Sequence, residues 1–387
     1  MHLVFLGIVS KPTELHLLPN SSVAGNKMQF NLLKHLSLRY DVRIDVVSFQ
    51  NSSRLFVKGH DELIFDGKCH IWQVGYLNIP FLKQILLPII TYRKARALVK
   101  KSDVIMSYDI YPTQGIPLTL LKKRVNGRTV CLLADLSIGG VSTEKGVRRI
   151  LRKLFDKNSL SNLRRCENLI VLNENVIKKY SLLTNYCIMD GGIEPSDFVD
   201  YGYHWDGSVK NIVYTGALVE YSGIMNLLKS MDYLKNSSIV LDIYGDGTLK
   251  NDIERLSHLS SRVRYYGKVS NEEAIKAQQT AWLLINPRPV ENEIAKVTFP
   301  SKIFEYLMSG RPVITTRLNG FSSDYDSLLF WAGIGSPIEL ANAINRVDSC
   351  TEEQLQLMAK NAKEYLLKNK TWKNNASQVY SFLKNLY

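Results

Sequence analysis

Residues 285–289 read Ile285-Asn286-Pro287-Arg288-Pro289, and the chain goes on to Phe299-Pro300-Ser301-Lys302-Ile303-Phe304-Glu305-Tyr306-Leu307-Met308-Ser309-Gly310-Arg311-Pro312-Val313-Ile314. The apolar run 281–285 reads as a strand, and the proline-bounded loop behind it carries Arg288. Pro300 and Ser301 open a helix over 301–308, Gly310 stops it, and the chain returns as a strand over 312–316. Strand, loop, helix and strand with short connections form the repeating unit of a parallel sheet covered on both faces.

The same alternation extends upstream. Strands are expected at 211–214, 239–244 and 263–266, with helices over 224–234, 248–258 and 271–279. The first half shows strand runs at 3–9, 42–48, 104–107, 129–133 and 168–172, and helical patterns at 24–38, 81–101 and 146–166. Between the halves, 194–210 contains Pro195, Gly202 and Gly207 and has little periodicity, so it reads as a linker. The expected fold class is α/β, with two doubly wound Rossmann-like domains facing a cleft. The first covers 1–195, a linker 196–208, the second domain 209–370, and 371–387 forms a last helix able to cross back to the first domain. Ligands of such sheets bind at the carboxyl ends of the strands.

The 387 residues are 45% hydrophobic and 22% charged, enough for two cores and unlike a disordered chain. Five cysteines at scattered spacings form no CxxC pair, which excludes a zinc ribbon or a disulfide scaffold and fits a reducing compartment. No uncharged apolar stretch reaches the length of a membrane span, and Met1–Gly7 lacks the basic region of a signal peptide. The formal net charge of +13 is uneven: residues 1–200 hold 28 Lys+Arg against 17 Asp+Glu, and the remainder 21 against 19. A basic half beside a nearly neutral one points to an anionic surface as partner.

Several residues carry candidate chemistry. Free N–H groups at the start of the 301–308 helix, capped by Ser301 or Thr298, would suit a diphosphate. Lys302 in the first turn opposes the helix dipole unless an anion lies between them. Glu305 can accept two hydrogen bonds from the vicinal hydroxyls of a ribose. The competing reading makes Lys302 and Glu305 a surface pair at i, i+3. Gly25, ahead of the first helix, lets backbone approach a diphosphate as a donor-binding candidate, or else sits in an ordinary loop with Ser22 or Asn26 as cap. Gly245-Asp246-Gly247 lacks the third glycine of a dinucleotide fingerprint and reads as a turn. Asp324-Tyr325-Asp326 matches a metal-binding triplet by letter, a pattern that arises often by chance.

Over roughly 168–320 the chain resembles glycosyltransferase family 4, retaining enzymes of GT-B architecture, in the type that builds bacterial polysaccharides. The resemblance rests on the Phe299–Ile314 segment together with Val171-Leu172-Asn173-Glu174, Gly191-Gly192-Ile193, Tyr214-Thr215-Gly216-Ala217-Leu218, Ile243-Tyr244-Gly245-Asp246-Gly247 and Tyr266-Gly267-Lys268-Val269. It implies a nucleotide-diphosphate sugar as co-substrate, UDP favoured over GDP, held by the second domain without metal or other cofactor. Glu305 matches the second glutamate of the family's Glu-x7-Glu motif, which holds the ribose; the first falls at Val297. Where the family loop after Gly216 carries Arg and Lys for the diphosphate, this chain has Ala217 and Ser222. Arg288 and Lys302 are the nearest substitutes, with Ser301 beside them. Gly267 and Lys268 would pass the base with their backbone. The family's His-Asp position reads Ala134-Asp135, so Asp135 is the catalytic candidate of the first domain, with a structural cap as its alternative. In the front-face mechanism ascribed to such enzymes, the diphosphate itself helps to deprotonate the acceptor.

Residues 144–164 interleave Arg148, Arg149, Arg152, Lys153 and Lys157 with Val147, Ile150, Leu151, Leu154 and Phe155. On a helix this is an apolar stripe flanked by cations, either interfacial or packed on the core. Further basic clusters, at Arg93, Lys94, Arg96, Lys100 and Lys101 and at Lys122-Lys123-Arg124, favour an anionic membrane surface. The combined expectation is a retaining glycosyltransferase on the inner face of the plasma membrane, adding sugar to a lipid-linked glycan acceptor in cell-surface polysaccharide synthesis. The alternatives are a nucleotide-sugar epimerase of the same fold and a non-catalytic protein binding nucleotide-sugar or nucleic acid, although no nucleic-acid motif is present.

Overall fold

A computed structural model describes residues 1–17, 22–101, 103–134, 147–200, 205–291 and 299–387. By its contacts the chain forms two compact units, Met1–Gly192 with Trp372–Tyr387, and Ile193–Thr371.

The first unit contains strands β1 (His2–Gly7), β2 (Arg43–Ser48), β3 (Phe56–Val57), β4 (His60–Ile64), β5 (Cys69–Gln73), β6 (Tyr76–Leu77), β7 (Val104–Tyr108), β8 (Thr129–Leu133), β9 (Asn168–Val171) and β10 (Asn185–Ile188). Helices α1 (Val23–Tyr40), α2 (Leu82–Leu98), α3 (Pro112–Leu121), α4 (Val147–Arg164) and α5 (Asn175–Tyr180) connect them. The main sheet has the order β10-β9-β8-β7-β1-β2-β5-β4 and is parallel except at its β4 edge, which pairs antiparallel with β5. Periodicity did not reveal the short strands between residues 56 and 77. β4 explains why: its residues stay half-buried or exposed, so no alternating apolar face marks it. Leu3, Phe5, Ile44, Val46, Val104 and Met106 are fully or almost fully buried against Leu32, Leu33 and Leu36 of α1.

The second unit holds β11 (Asn211–Thr215), β12 (Val240–Tyr244), β13 (Val263–Tyr265), β14 (Leu283–Asn286), β15 (Val313–Thr315) and β16 (Phe330–Trp331). All pair in parallel, in the order β13-β12-β11-β14-β15-β16. Its helices are α6 (Ile224–Ser230), α7 (Lys250–Leu259), α8 (Asn271–Gln279), α9 (Lys302–Met308), α10 (Pro337–Asp348) and α11 (Glu352–Asn369). Capping boxes start α8 at Ser270 and Glu273, α10 at Ser336 and Glu339, and α11 at Thr351 and Gln354. The last helix, α12 (Trp372–Lys384), packs on α1 of the first unit: Trp372, Ala376, Val379 and Leu383 enter that core, and Tyr380 stacks on Tyr40 at 4.4 Å.

Both units are doubly wound α/β sheets. In the first, the strand order reverses between β1 and β7; in the second, between β11 and β14. These switch points are where such sheets accept ligands, because the loops leaving the two strands diverge to opposite faces.

Candidate active site

At the second unit's switch point, the loop after β11 abuts the loop after β14. Gly223, at φ +79°, ends the first loop so close to Pro287 that a Cβ would collide with the Pro287 carbonyl oxygen. That approach sets Arg288 beside Tyr221, its guanidinium carbon 5.8 Å from the ring centroid. Arg288 is half-buried, and burial holds its guanidinium below the ordinary value, opposed by Tyr221 and Tyr214. The Thr316 hydroxyl donates to the Arg288 carbonyl, and Asn286 Nδ2 donates to Thr315 Oγ1 at 2.9 Å, so both bonds pin the loop to the end of β15.

Tyr214 closes this group from β11. Its hydroxyl donates to the Ala217 carbonyl at 2.8 Å, and a Cβ on Gly216 would lie 2.8 Å from that same hydroxyl. Burial pushes the Tyr214 phenol up, with nearby Tyr306 adding to it and Arg288 and Lys302 pulling the other way. The Tyr306 hydroxyl, fully buried, accepts from the Thr215 N–H at 2.9 Å and anchors α9 under the end of β11.

On α9, Lys302 Nζ and Glu305 Oε2 are 2.8 Å apart, both partly exposed. The surface-pair reading thus describes their contact, with one carboxylate oxygen engaged by the lysine. Ser301 corrects its expectation as cap: it has helical backbone angles and makes no side-chain cap bond, and α9 has only seven residues. Thr298 and Val297 lie outside the described residues.

The neighbouring loops are tied to one another. Gly245 and Gly247 pass so near the carbonyls of Gly216 and Leu218 that neither admits a side chain. Leu218 N–H donates to Asp246 O at 2.9 Å, and Gly245 N–H to Gly267 O at 2.8 Å. Gly267, at φ +74°, has open space where a side chain would go, and Lys268 is exposed. Tyr244 and Tyr266 stack with nearly parallel rings, 4.6 Å between centroids, beside them.

At the first unit's switch point, a Cβ on Gly25 would meet the Tyr108 hydroxyl at 2.8 Å. Ser22 is the cap of α1 and accepts from Gly25 N–H at 3.1 Å, which engages the amide assigned to an anion. Asn26 holds both backbone groups of Ser10, at 2.8 and 2.9 Å, and Gln29 does the same for Ile8 at 3.0 and 3.1 Å. Beyond β7, Asp109 has φ +60°, is buried, and accepts from Ala134 N–H at 2.9 Å. Asp135 lies outside the described residues. Sequence reading passed over Asn26 and Gln29 as clamps, although their i, i+3 spacing at a helix start was the available signal; for Asp109 no motif existed.

The α4 cations sit as follows. Arg149, Arg152 and Lys153 are exposed together with Ile150 and Leu154, while Phe155 turns inward onto Tyr111 at 5.6 Å. Arg152 lies 3.4 Å from Asp156. The side chain of Arg148 is outside the described set. Asp326 pairs with Arg317, and Asp324 accepts from Tyr365 at 3.2 Å, so this triplet is occupied by structural bonds. No cluster of three metal-ligating side chains, and no helix long and apolar enough to cross a membrane, occurs among the described residues.

Residues 209–348 match the family model Glycosyl transferases group 1. The second unit thus carries a glycosyl transferases group 1 domain. No curated protein matches the chain at the level of sequence. Among solved structures it is similar to trehalose-6-phosphate from E. coli bound with UDP-2-fluoro glucose, at TM-score 0.73 and 11% identity, covering 100% of both chains. It is also similar to sucrose-phosphate synthase from Thermosynechococcus elongatus, at TM-score 0.69 and 16% identity, covering 100% of this chain and 99% of the other. A third is an alpha,alpha-trehalose-phosphate synthase (UDP-forming) from Burkholderia vietnamiensis, at TM-score 0.67 and 9% identity, covering 100% of both. At such identities the likeness concerns the fold, and the chain has the GT-B architecture.

Proposed function

We propose that the transferase moves a sugar, with retention, from a nucleotide-diphosphate donor held at the switch point of its second unit, UDP favoured over GDP. The observation that carries this reading is Arg288 at that switch point, beside the loop whose positions 217 and 222 lack cations. From there a guanidinium can stabilise the charge that develops on the leaving diphosphate, and Lys302 adds a second cation. Glu305 receives the ribose hydroxyls on the oxygen that Lys302 leaves available. Gly216, Gly267 and the backbone of Lys268 line the donor, with Ser301 beside its diphosphate. Gly25 lets backbone approach the donor diphosphate, and Asp135 orients the sugar or the acceptor while the diphosphate takes the acceptor proton.

The acceptor proposed is a lipid-linked glycan of cell-surface polysaccharide synthesis, approached from an anionic membrane through Arg148, Arg149, Arg152 and Lys153. Exposure of Ile150 and Leu154 amid the cations of α4 supports the interfacial reading. A second reading takes a sugar phosphate as acceptor, favoured by the names of the similar structures, which include trehalose-phosphate and sucrose-phosphate synthases.

Thermal-shift titration with UDP, GDP and ADP, without metal, tests the donor. A ligand at about 100 times its Kd adds about 2.7 kcal/mol to the folded state. Selective stabilisation by one nucleotide, lost in Glu305→Ala, supports the assignment, and no shift with any of the three overturns it. The anomeric configuration of the product, read by NMR, decides retention, and a lipid-linked glycan assayed against a sugar phosphate decides the acceptor.

A further inference from the structure

A groove of about 590 Å³ opens in the first unit between the β4–β5 edge and α2, away from that unit's switch point. Trp72, Val74, Ile90 and Ala97 supply apolar lining, and Arg93 and Lys94 supply a cationic wall. The Lys94 ammonium lies 3.3 Å from the centroid of the Trp72 ring and is half-buried. The nearby carboxylates are already engaged: Asp61 with His70 at 2.7 Å, and Asp45 with His2 at 2.8 Å and the Trp72 indole N–H at 2.9 Å. Arg93 is exposed and has no ion pair among the described residues. Two adjacent cations, neither in a direct ion pair, therefore border a groove with an apolar floor, and Asp61 is the carboxylate in its lining. Burial pulls the Lys94 ammonium down, as expected for a cation short of hydration, although Asp61 and Asp45 oppose it.

The outer side of α2 continues the pattern. Leu82, Ile85 and Ile89 are exposed, at 37%, 64% and 49%, and recur at helical spacing ahead of Arg93 and Arg96. An apolar track thus leads along the helix to a cationic end at the rim of the groove. Long apolar side chains left in water beside unpaired cations match one kind of occupant, an amphiphile with an anionic head.

We infer that this groove binds the phosphate head of a lipid between Arg93 and Lys94, with its chain laid along Ile89, Ile85 and Leu82. The site deepens the proposed membrane-side acceptor reading and rests on it, but its chemistry is independent of the donor site. It places lipid contact on α2 in addition to the α4 cations, and Arg93 is the residue on which the head group turns.

The probes are a soluble short-chain phosphatidic acid, inorganic phosphate, and phosphatidylcholine vesicles with and without phosphatidic acid, measured by calorimetry and flotation on the full chain. Arg93→Ala is expected to weaken short-chain phosphatidic acid by about tenfold, because it removes a cation that holds the phosphate directly. Ile85→Ser with Ile89→Ser should weaken the lipid but leave inorganic phosphate unchanged. Arg149→Ala with Lys153→Ala should leave the soluble lipid unaffected. Equal affinity for phosphate and lipid, insensitive to the isoleucines, would assign the groove to a free phosphate and overturn the lipid site. Equal losses from the α2 and α4 variants would reduce it to diffuse charge attraction. Lys94→Gln serves as a second variant, and an unchanged melting temperature certifies each protein. Nucleotide-induced stabilisation, measured in parallel, keeps a failure here distinct from a failure of the donor assignment.

Discussion

Arg288 is held by a loop that is itself bonded to the end of β15. Arg288→Ala should lower turnover by about a hundredfold or more, the usual cost of removing one preorganised charge-stabilising group. The melting temperature of the free protein should change little, because burial already disfavours the guanidinium charge. Arg288→Lys should recover only part of the loss, since a point charge replaces a planar fork. Steady-state kinetics with the nucleotide sugar identified by thermal shift measures both.

His2 carries a pH prediction. Its ring nitrogens lie 2.8 Å from Asp45 Oδ2 and 2.8 Å from Asp103 Oδ2, which joins β1, β2 and the entry to β7. The bond to Asp45, outweighing burial, raises His2 above 6.5. Its contribution is therefore complete below pH 6.5 and lost as pH rises through the folded-state value. Burial pushes Asp45 up, but bonds from His2 and Trp72 leave it below 3.8, so its part is present above pH 3.8 and lost as pH falls through the lowered value. The stability gap between the wild type and His2→Phe, from urea melts, should be wide near about pH 6 and narrow near about pH 9.

Among elements, the loop after β11 depends most on backbone geometry. Gly223 combines positive φ with contact against Pro287, so Gly223→Ala meets both a conformational penalty and a collision. The variant should lose more than about 1 kcal/mol of stability in denaturant melts. It should also weaken nucleotide binding, because the shift needed to relieve the clash moves Arg288. Gly267→Ala has the same φ penalty but open space around it, so in denaturant melts it should cost less than Gly223→Ala and separates the collision from the conformational penalty.

For the whole molecule, the discontinuous first unit makes its last helix essential. Removing residues 372–387 strips Trp372, Val379 and Leu383 from a core in which they are at most 5% exposed. Each such side chain contributes about 1.5–3 kcal/mol on burial, against a total margin of about 5–15 kcal/mol for a domain. The truncated chain should show a lower melting temperature for the first unit or fail to fold it, while nucleotide stabilisation of residues 193–371 persists. Differential scanning calorimetry with and without nucleotide separates the two transitions.

Apolar periodicity determined the alternation of strands and helices, because buried parallel strands and half-buried helices imprint opposite periods on the chain. It located β7, β8, α8 and α9 within a residue or two at each end. It missed the short strands from 56 to 77: β4 is an edge strand with no buried residue, and β5, although Cys69 and Ile71 are buried, interrupts its apolar run with His70 and Gln73. Residue types also named Arg288, Lys302 and Glu305 as the chemistry-bearing set near α9. Local sequence could not show that Ser22 consumes the Gly25 amide, that Ser301 leaves its cap unused, or that Lys302 and Glu305 meet each other. Those outcomes depend on which partners the packed chain brings within hydrogen-bonding reach. The groove under α2 was equally hidden, since Trp72, Arg93 and Lys94 become neighbours only when the helix folds back over the sheet edge. Period and composition are properties of a segment, whereas a site is a property of distance between segments, and only tertiary packing sets that distance.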